Sequence, residues 1–169
     1  MKARFAIVPL LALTFPSSAA LAANTCDLPE TDYIGPLHSA LGQRAVEAID
    51  LAAGPRTTKS DGALARRIAS DAPVSLGSGD VGRPLGTGAE GLRRMVREMR
   101  ADRYRQFGWD TIPTPVKDAC GEQTIEMEFT DTTGQHVYPV KFTFREGRIT
   151  QVSGWSRSFV AGPIAAVRD

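Results

Sequence analysis

The chain has 169 residues, 20 basic and 19 acidic, for a net charge of +1, and only 7% of them are aromatic. So balanced a charge gives no net field to draw nucleic acid or an anionic membrane surface. The length allows one domain with one core.

In chain order, Lys2 and Arg4, the apolar stretch Phe5 to Phe15 and the small-x-small site Ala20-Leu21-Ala22 read as a secretory signal peptide over 1–22. Pro9 interrupts the apolar run, which is too short for a permanent membrane span. Thr25 rather than a small residue precedes Cys26, so no lipid anchor is expected. Removing Lys2 and Arg4 leaves 18 basic against 19 acidic residues, a mature net charge of about −1. The expected location is periplasmic or secreted. In such an oxidising compartment Cys26 and Cys120, the two cysteines of the chain, are expected to form a disulfide.

After an N-terminal extension (23–35), Leu37, Leu41, Ala45, Ala48, Ile49 and Ala52 fall at helical spacing, and Gly54-Pro55 ends the run. This predicts a helix from Pro36 to Ala53. Ser60 or Asp61 is the expected cap of a second helix reaching Ala69, where Asp71 is expected to close it. Pro73 to Leu76 reads as a short strand and Gly77 to Gly86 as a glycine-rich loop. Thr87-Gly-Ala-Glu90 reads as a capping box opening a third helix with Leu92, Met95, Val96 and Met99 on its apolar side. Arg93, Arg97 and Arg100 form a basic stripe there, expected as a solvated face. Tyr104 to Ile112 reads as a strand.

The last third is the most regular. Ile125, Met127 and Phe129 alternate with polar residues in one strand, and Tyr138, Val140, Phe142 and Phe144 do so in the next. That is a half-buried antiparallel sheet whose apolar face needs a helical cover. Turns at Asp131–Gly134 and Glu146-Gly147 place Met127 opposite Tyr138 and Phe144 opposite Ile149. Continuing the alternation puts Gln151, Ser153 and Trp155 on the inner face with Tyr138.

Three segments carry a resemblance: A-L-A-R-R-I-A-S-D-A-P-V from Ala63 to Val74, G-T-G-A-E-G-L from Gly86 to Leu92, and V-K-F-T-F-R-E-G-R-I from Val140 to Ile149. In this order they resemble the nuclear transport factor 2-like superfamily, which includes polyketide-cyclase-like and ketosteroid-isomerase-like proteins. The resemblance spans about Leu37 to Phe159. It implies an α+β, cystatin-like cone over 36–159: a curved antiparallel sheet with three N-terminal helices on its concave face, a pocket between them, and a tail at 160–169. It does not transfer the isomerase chemistry. The general-base aspartate falls near Leu76, the helix-one tyrosine near Glu47, and the protonated aspartate at Val140 after the matching Pro139. Leu76 and Val140 can neither accept nor donate a proton.

Other chemical motifs are weak. Gly77-Ser-Gly79-Asp-Val-Gly82 satisfies the dinucleotide pattern but runs into Arg83-Pro84 instead of a helix. No G-x-S-x-G elbow occurs, and His38 and His136 have no ligand-spaced neighbours, so neither metal nor cofactor is expected. His38 reads as a half-buried core residue, and His136 stands at a turn end where solvent is the default. The expected site is the inner sheet face, with Tyr104, Gln106, Gln123, Tyr138, Gln151, Ser153 and Trp155 lining a cup for a small, partly apolar molecule. One alternative is a cyclase, dehydratase or isomerase using Asp110, Tyr104 or His38. The other is an interaction module that pairs as a homodimer through its sheet or through Phe159, Val160, Ile164 and Val167.

Overall fold

A computed structural model describes residues 26–29, 31–78, 81–107, 116 and 118–159. The expected signal peptide, Asp110 and the tail residues Val160, Ile164 and Val167 lie outside the described residues. The elements are α1 (Ile34–Ala53), α2 (Thr58–Arg67), β1 (Pro73–Ser78), β2 (Val81–Thr87), α3 (Gly88–Met99), β3 (Arg103–Phe107), β4 (Gln123–Asp131), β5 (His136–Arg145) and β6 (Arg148–Ser158). The six strands form one sheet in the order β2-β1-β6-β5-β4-β3. Its pairs are antiparallel except β1 with β6, which run parallel. No helix among the described residues is long and apolar enough to cross a membrane.

The periodicities do what the physics requires of them. Leu37, Leu41, Ala45, Ala48 and Ala52 make the buried stripe of α1. It meets the inner sheet face of Ile125, Met127, Phe129, Val140, Phe142, Phe144, Ile149 and Val152 in one core, joined by Leu92, Met95 and Met99 of α3. At these positions the fold is an α+β layer of helices on a bent sheet.

Several expectations need correction. α2 starts earlier because Thr57, not Ser60 or Asp61, is its cap: the Thr57 hydroxyl accepts from the Ser60 amide, and the Ser60 hydroxyl accepts from the Thr57 amide. Asp71 stands exposed in the turn after the helix rather than closing it. The stretch expected as a glycine-rich loop is largely β2, hairpin partner of β1, anchored by the buried Leu85. Thr87 sits at the α3 cap position without a side-chain capping bond. The first sheet turn is one residue later than expected, so Phe129 rather than Met127 faces Tyr138. Phe144 does pair with Ile149.

Arg93 is not part of a solvated stripe. Its side chain is 3% exposed and donates to the Ala52 carbonyl (3.1 Å) and the Asp61 carboxylate (2.7 Å). It thereby ties the C-terminus of α1 and the start of α2 to α3. A buried guanidinium is tolerated because both contacts are charge-assisted or to an orphan helix carbonyl.

Gly88 opens α3 at φ +54°, and a Cβ there would lie 2.7 Å from the Ser70 carbonyl oxygen. Gly88→Ala combines a left-handed backbone with a backbone clash and is expected to cost about 1–3 kcal/mol. Urea unfolding of the variant checks this; an unchanged midpoint would refute it.

Candidate functional site

A recess of about 660 Å³ lies between α1 and the edge strand β3. Its floor is apolar, with Val46, Leu51, Pro55 and Met127, and its rim carries Gln43, Glu47, Asp50, Tyr104 and Gln106. Helix α1 presents Gln43, Val46, Glu47 and Asp50 because they fall between the buried positions of its stripe. Gly42 lets β3 come close: a Cβ there would overlap the Gln106 amide, which instead crosses the helix and donates to the His38 carbonyl at 2.6 Å. Tyr104 is 57% exposed, with its ring tilted against buried Phe129 at 6.2 Å. An exposed aromatic backed by the core is a ready stacking surface. Glu47 is held by Arg67 of α2 at 2.7 Å, so its charge is partly answered within the protein.

Only two of the seven expected site residues, Tyr104 and Gln106, line this groove. Gln123 lies at the start of β4, donating to the Asp118 carbonyl at 2.9 Å near the disulfide. Tyr138 lines a separate recess with Ser156. Gln151, Ser153 and Trp155 turn outward, and the reason is a β-bulge. Phe144 pairs with Ile149 but Thr143 pairs with Gln151, so Thr150 is an extra residue in β6 and every later side chain changes face. Val152 and Gly154 point inward in their place, and Lys141 sits over the outward Trp155 ring, 5.8 Å from its centroid.

The expected hollow beside Trp155 is therefore replaced by packed side chains. A Cβ on Gly154 would meet Leu76 Cδ1 at 3.0 Å, Val140 Cγ2 at 3.1 Å and Met95 Cε at 3.5 Å. Leu76 and Val140, which stand where the isomerase acids fall, thus close on each other across a residue with no side chain. Glu47, at the third position, lies in the groove on α1. Among the recesses lined by described residues, Glu47 lines the groove and Leu76 a different one.

His38 is half-buried, as expected, and His136 is half-buried as well, at the end of β5. Its Nδ1 lies 3.4 Å from the hydroxyls of both Ser156 and Ser158. Cys26 and Cys120 are joined in a disulfide.

Three helices lie against the inner face of a bent, unclosed sheet whose second and third strands, β1 and β6, run parallel. The fold is α+β, three helices on a curved, unclosed sheet. Solved structures similar to the chain include an NTF-2 like protein of unknown function from Silicibacter pomeroyi, with 16% identity, 70% of this chain and 92% of that one covered, and a TM-score of 0.41. A cystatin-like fold protein from Burkholderia xenovorans shares 12% identity over 75% of this chain and 95% of its own, with a TM-score of 0.44. Another, from Methylobium petroleophilum, shares 14% over 76% and 82%, with a TM-score of 0.41. No protein-family model and no curated protein matches the chain. At these identities no activity is carried across to this chain.

The groove residues of α1 that were not expected in the site include Gln43, Val46, Glu47 and Asp50. The available signal was α1 itself: one apolar residue, Val46, interrupts an otherwise polar flank of the helix. That apolar residue marks a place where the flank is covered or offered to a ligand.

Proposed function

We propose that the chain binds a small, partly apolar molecule in the groove between α1 and β3. The observation that carries this reading is the joining of an apolar floor, a 57% exposed Tyr104 and convergent polar groups in one recess of about 660 Å³. That volume lies within the roughly 300–1,000 Å³ usual for small-molecule sites. With Glu47 and Asp50 on the rim, the ligand carries hydrogen-bond donors at one edge of an apolar body. We also propose that the protein is exported to the periplasm or the medium. The signal-like N-terminus and the Cys26–Cys120 bond support this.

The test uses N-phenyl-1-naphthylamine, an uncharged fluorescent aromatic with one N–H donor. Saturable fluorescence is expected with the purified chain. Val46→Arg, which fills the groove from a half-buried position on α1, is expected to weaken binding at least about tenfold with a cooperative melting transition retained. Trp155→Ala is expected to leave binding unchanged, because the indole lies on the opposite sheet face. Equal affinity in wild type and Val46→Arg would defeat the reading.

A second reading is self-pairing through the outer sheet face. The packed interior and the half-buried Trp155 on that face favour it. Sedimentation velocity of wild type and Trp155→Ala decides it, a monomer at all concentrations being the negative result.

A further inference from the structure

The inner sheet face changes character at its β4–β5 hairpin end. Beyond the apolar run Phe144, Phe142 and Val140 come Tyr138 and His136 on β5, with Ser156 and Ser158 across from them on β6. Here a second recess of about 480 Å³ opens, separate from the groove and lined by Leu76, Gly77, Ser78, Arg83, Glu98, Tyr138 and Ser156.

Its chemistry is narrow. Among the described residues of the lining, the cation Arg83 is ion-paired with the anion Glu98. Behind the phenol, Arg100 lies 3.4 Å from the buried Asp131 carboxylate and answers part of its charge. The groups left to meet a ligand are hydroxyls over an apolar wall from Leu76 and the Tyr138 ring. Tyr138 is buried, and burial, followed by the nearby Asp131 charge, pushes its phenol above the ordinary value, while the Ser156 contact and Arg100 pull the other way. It stays a neutral donor through the physiological range. Ser156 Oγ and Ser158 Oγ both lie 3.4 Å from His136 Nδ1, so either can hold the imidazole while the other turns away. Ser156 is thus able to direct its proton into the recess while Ser158 keeps the ring in place.

We propose that this recess is a second binding site, which takes an uncharged carbonyl compound and seats its oxygen between the Tyr138 phenol and the Ser156 hydroxyl. Each of the two hydroxyls carries one proton to donate, and a carbonyl oxygen has two lone pairs to accept them. Arg83 and Glu98 are engaged with each other, which leaves a carboxylate or an ammonium group little gain to offset its desolvation. The inference does not depend on the groove being a binding site.

The test is a titration of the purified chain with acetophenone, read from the ring carbon–proton spectra of its two histidines and three tyrosines. Benzoate and benzylamine serve as charged arms with the same ring. Acetophenone is expected to shift Tyr138 and His136 saturably while Tyr104, in the groove, stays still. Tyr138→Phe is expected to weaken binding about tenfold, and Ser156→Ala to weaken it while removing most of the His136 response. Val46→Arg is expected to leave the affinity unchanged, which separates this site from the groove. The proposal is overturned if no saturable shift occurs, if Tyr104 responds instead, if a charged probe binds more tightly, or if Tyr138→Phe binds as well as wild type with its melting temperature intact.

Discussion

Replacing Phe142 with alanine is expected to lower stability by about 3–5 kcal/mol, which for a domain of this size shifts the melting temperature by roughly 6–20 °C. Phe142 has no exposed surface, and its ring meets Phe129 edge-to-face at 6.3 Å and 61°. Its cross-strand partners are Ile125 on β4 and Val152 on β6, both buried, so no flexible polar side chain stands ready to fill the space. The loss therefore contains both the transfer term and the cavity term. The void would be lined by apolar atoms, stay dry, and take up benzene. Urea unfolding with and without benzene measures both effects. A loss below about 1 kcal/mol would mean that the interior is loosely filled and that ligands enter it from the core side after all.

That experiment bears on why the sequence was legible in some places and not in others. The stripe of α1 and the alternation of β4 and β5 are repeated local signals, each fixed by the period of its own backbone. Five or six residues agree with one another, and the structure follows them. The face of β6 is different, since one inserted residue, Thr150, reverses everything after it. A trace of this exists in the chain: apolar positions move from odd at Ile149 to even at Val152, which a single uninterrupted strand would not do. Giving weight to Trp155 as an expected inner aromatic hid that trace. Arg93 left no trace at all. Whether a guanidinium on a helix is solvated or buried depends on Asp61, 32 residues away, and on a free helix-end carbonyl at Ala52. The site was harder still. Tyr104 and Gln106 meet α1 only because Gly42 leaves room, and Tyr138 meets Ser156 only because the bulge brings Ser156 inward. Both are tertiary consequences of single residues, and no periodicity reports them.

Removing the disulfide, as Cys26→Ser with Cys120→Ser, is expected to cost about 2–5 kcal/mol. The bond closes a loop across a sequence separation of 94, for which the chain-entropy model gives between 4 and 5 kcal/mol as an upper figure, roughly. The real loss is reduced because the N-terminal segment has other anchors. Leu28 is buried, and Arg44 of α1 pairs with Asp27 and donates to the Gly147 carbonyl at 3.0 Å. The Cys120 carbonyl in turn accepts from the Glu146 amide at 2.7 Å, so the bond and the β5–β6 turn support one another. The Arg44 guanidinium, chiefly through its hydrogen bond, holds the Asp27 carboxyl below its ordinary range. A depressed carboxylate contributes stability above its unfolded value near 3.8 and loses it as pH falls through the lower folded value. Asp27 is largely exposed, so this contribution is small and leaves the covalent bond as the main fastening at neutral pH. Urea unfolding of the oxidised, reduced and double-serine chains gives the magnitude, and amide exchange gives the place. Protection should fall first around Leu28 and Gly147 and last in β4 and β5. If the reduced chain unfolds at the same urea concentration as the oxidised one, Arg44 and Leu28 alone hold the N-terminal segment, and the bond's role lies outside folding stability.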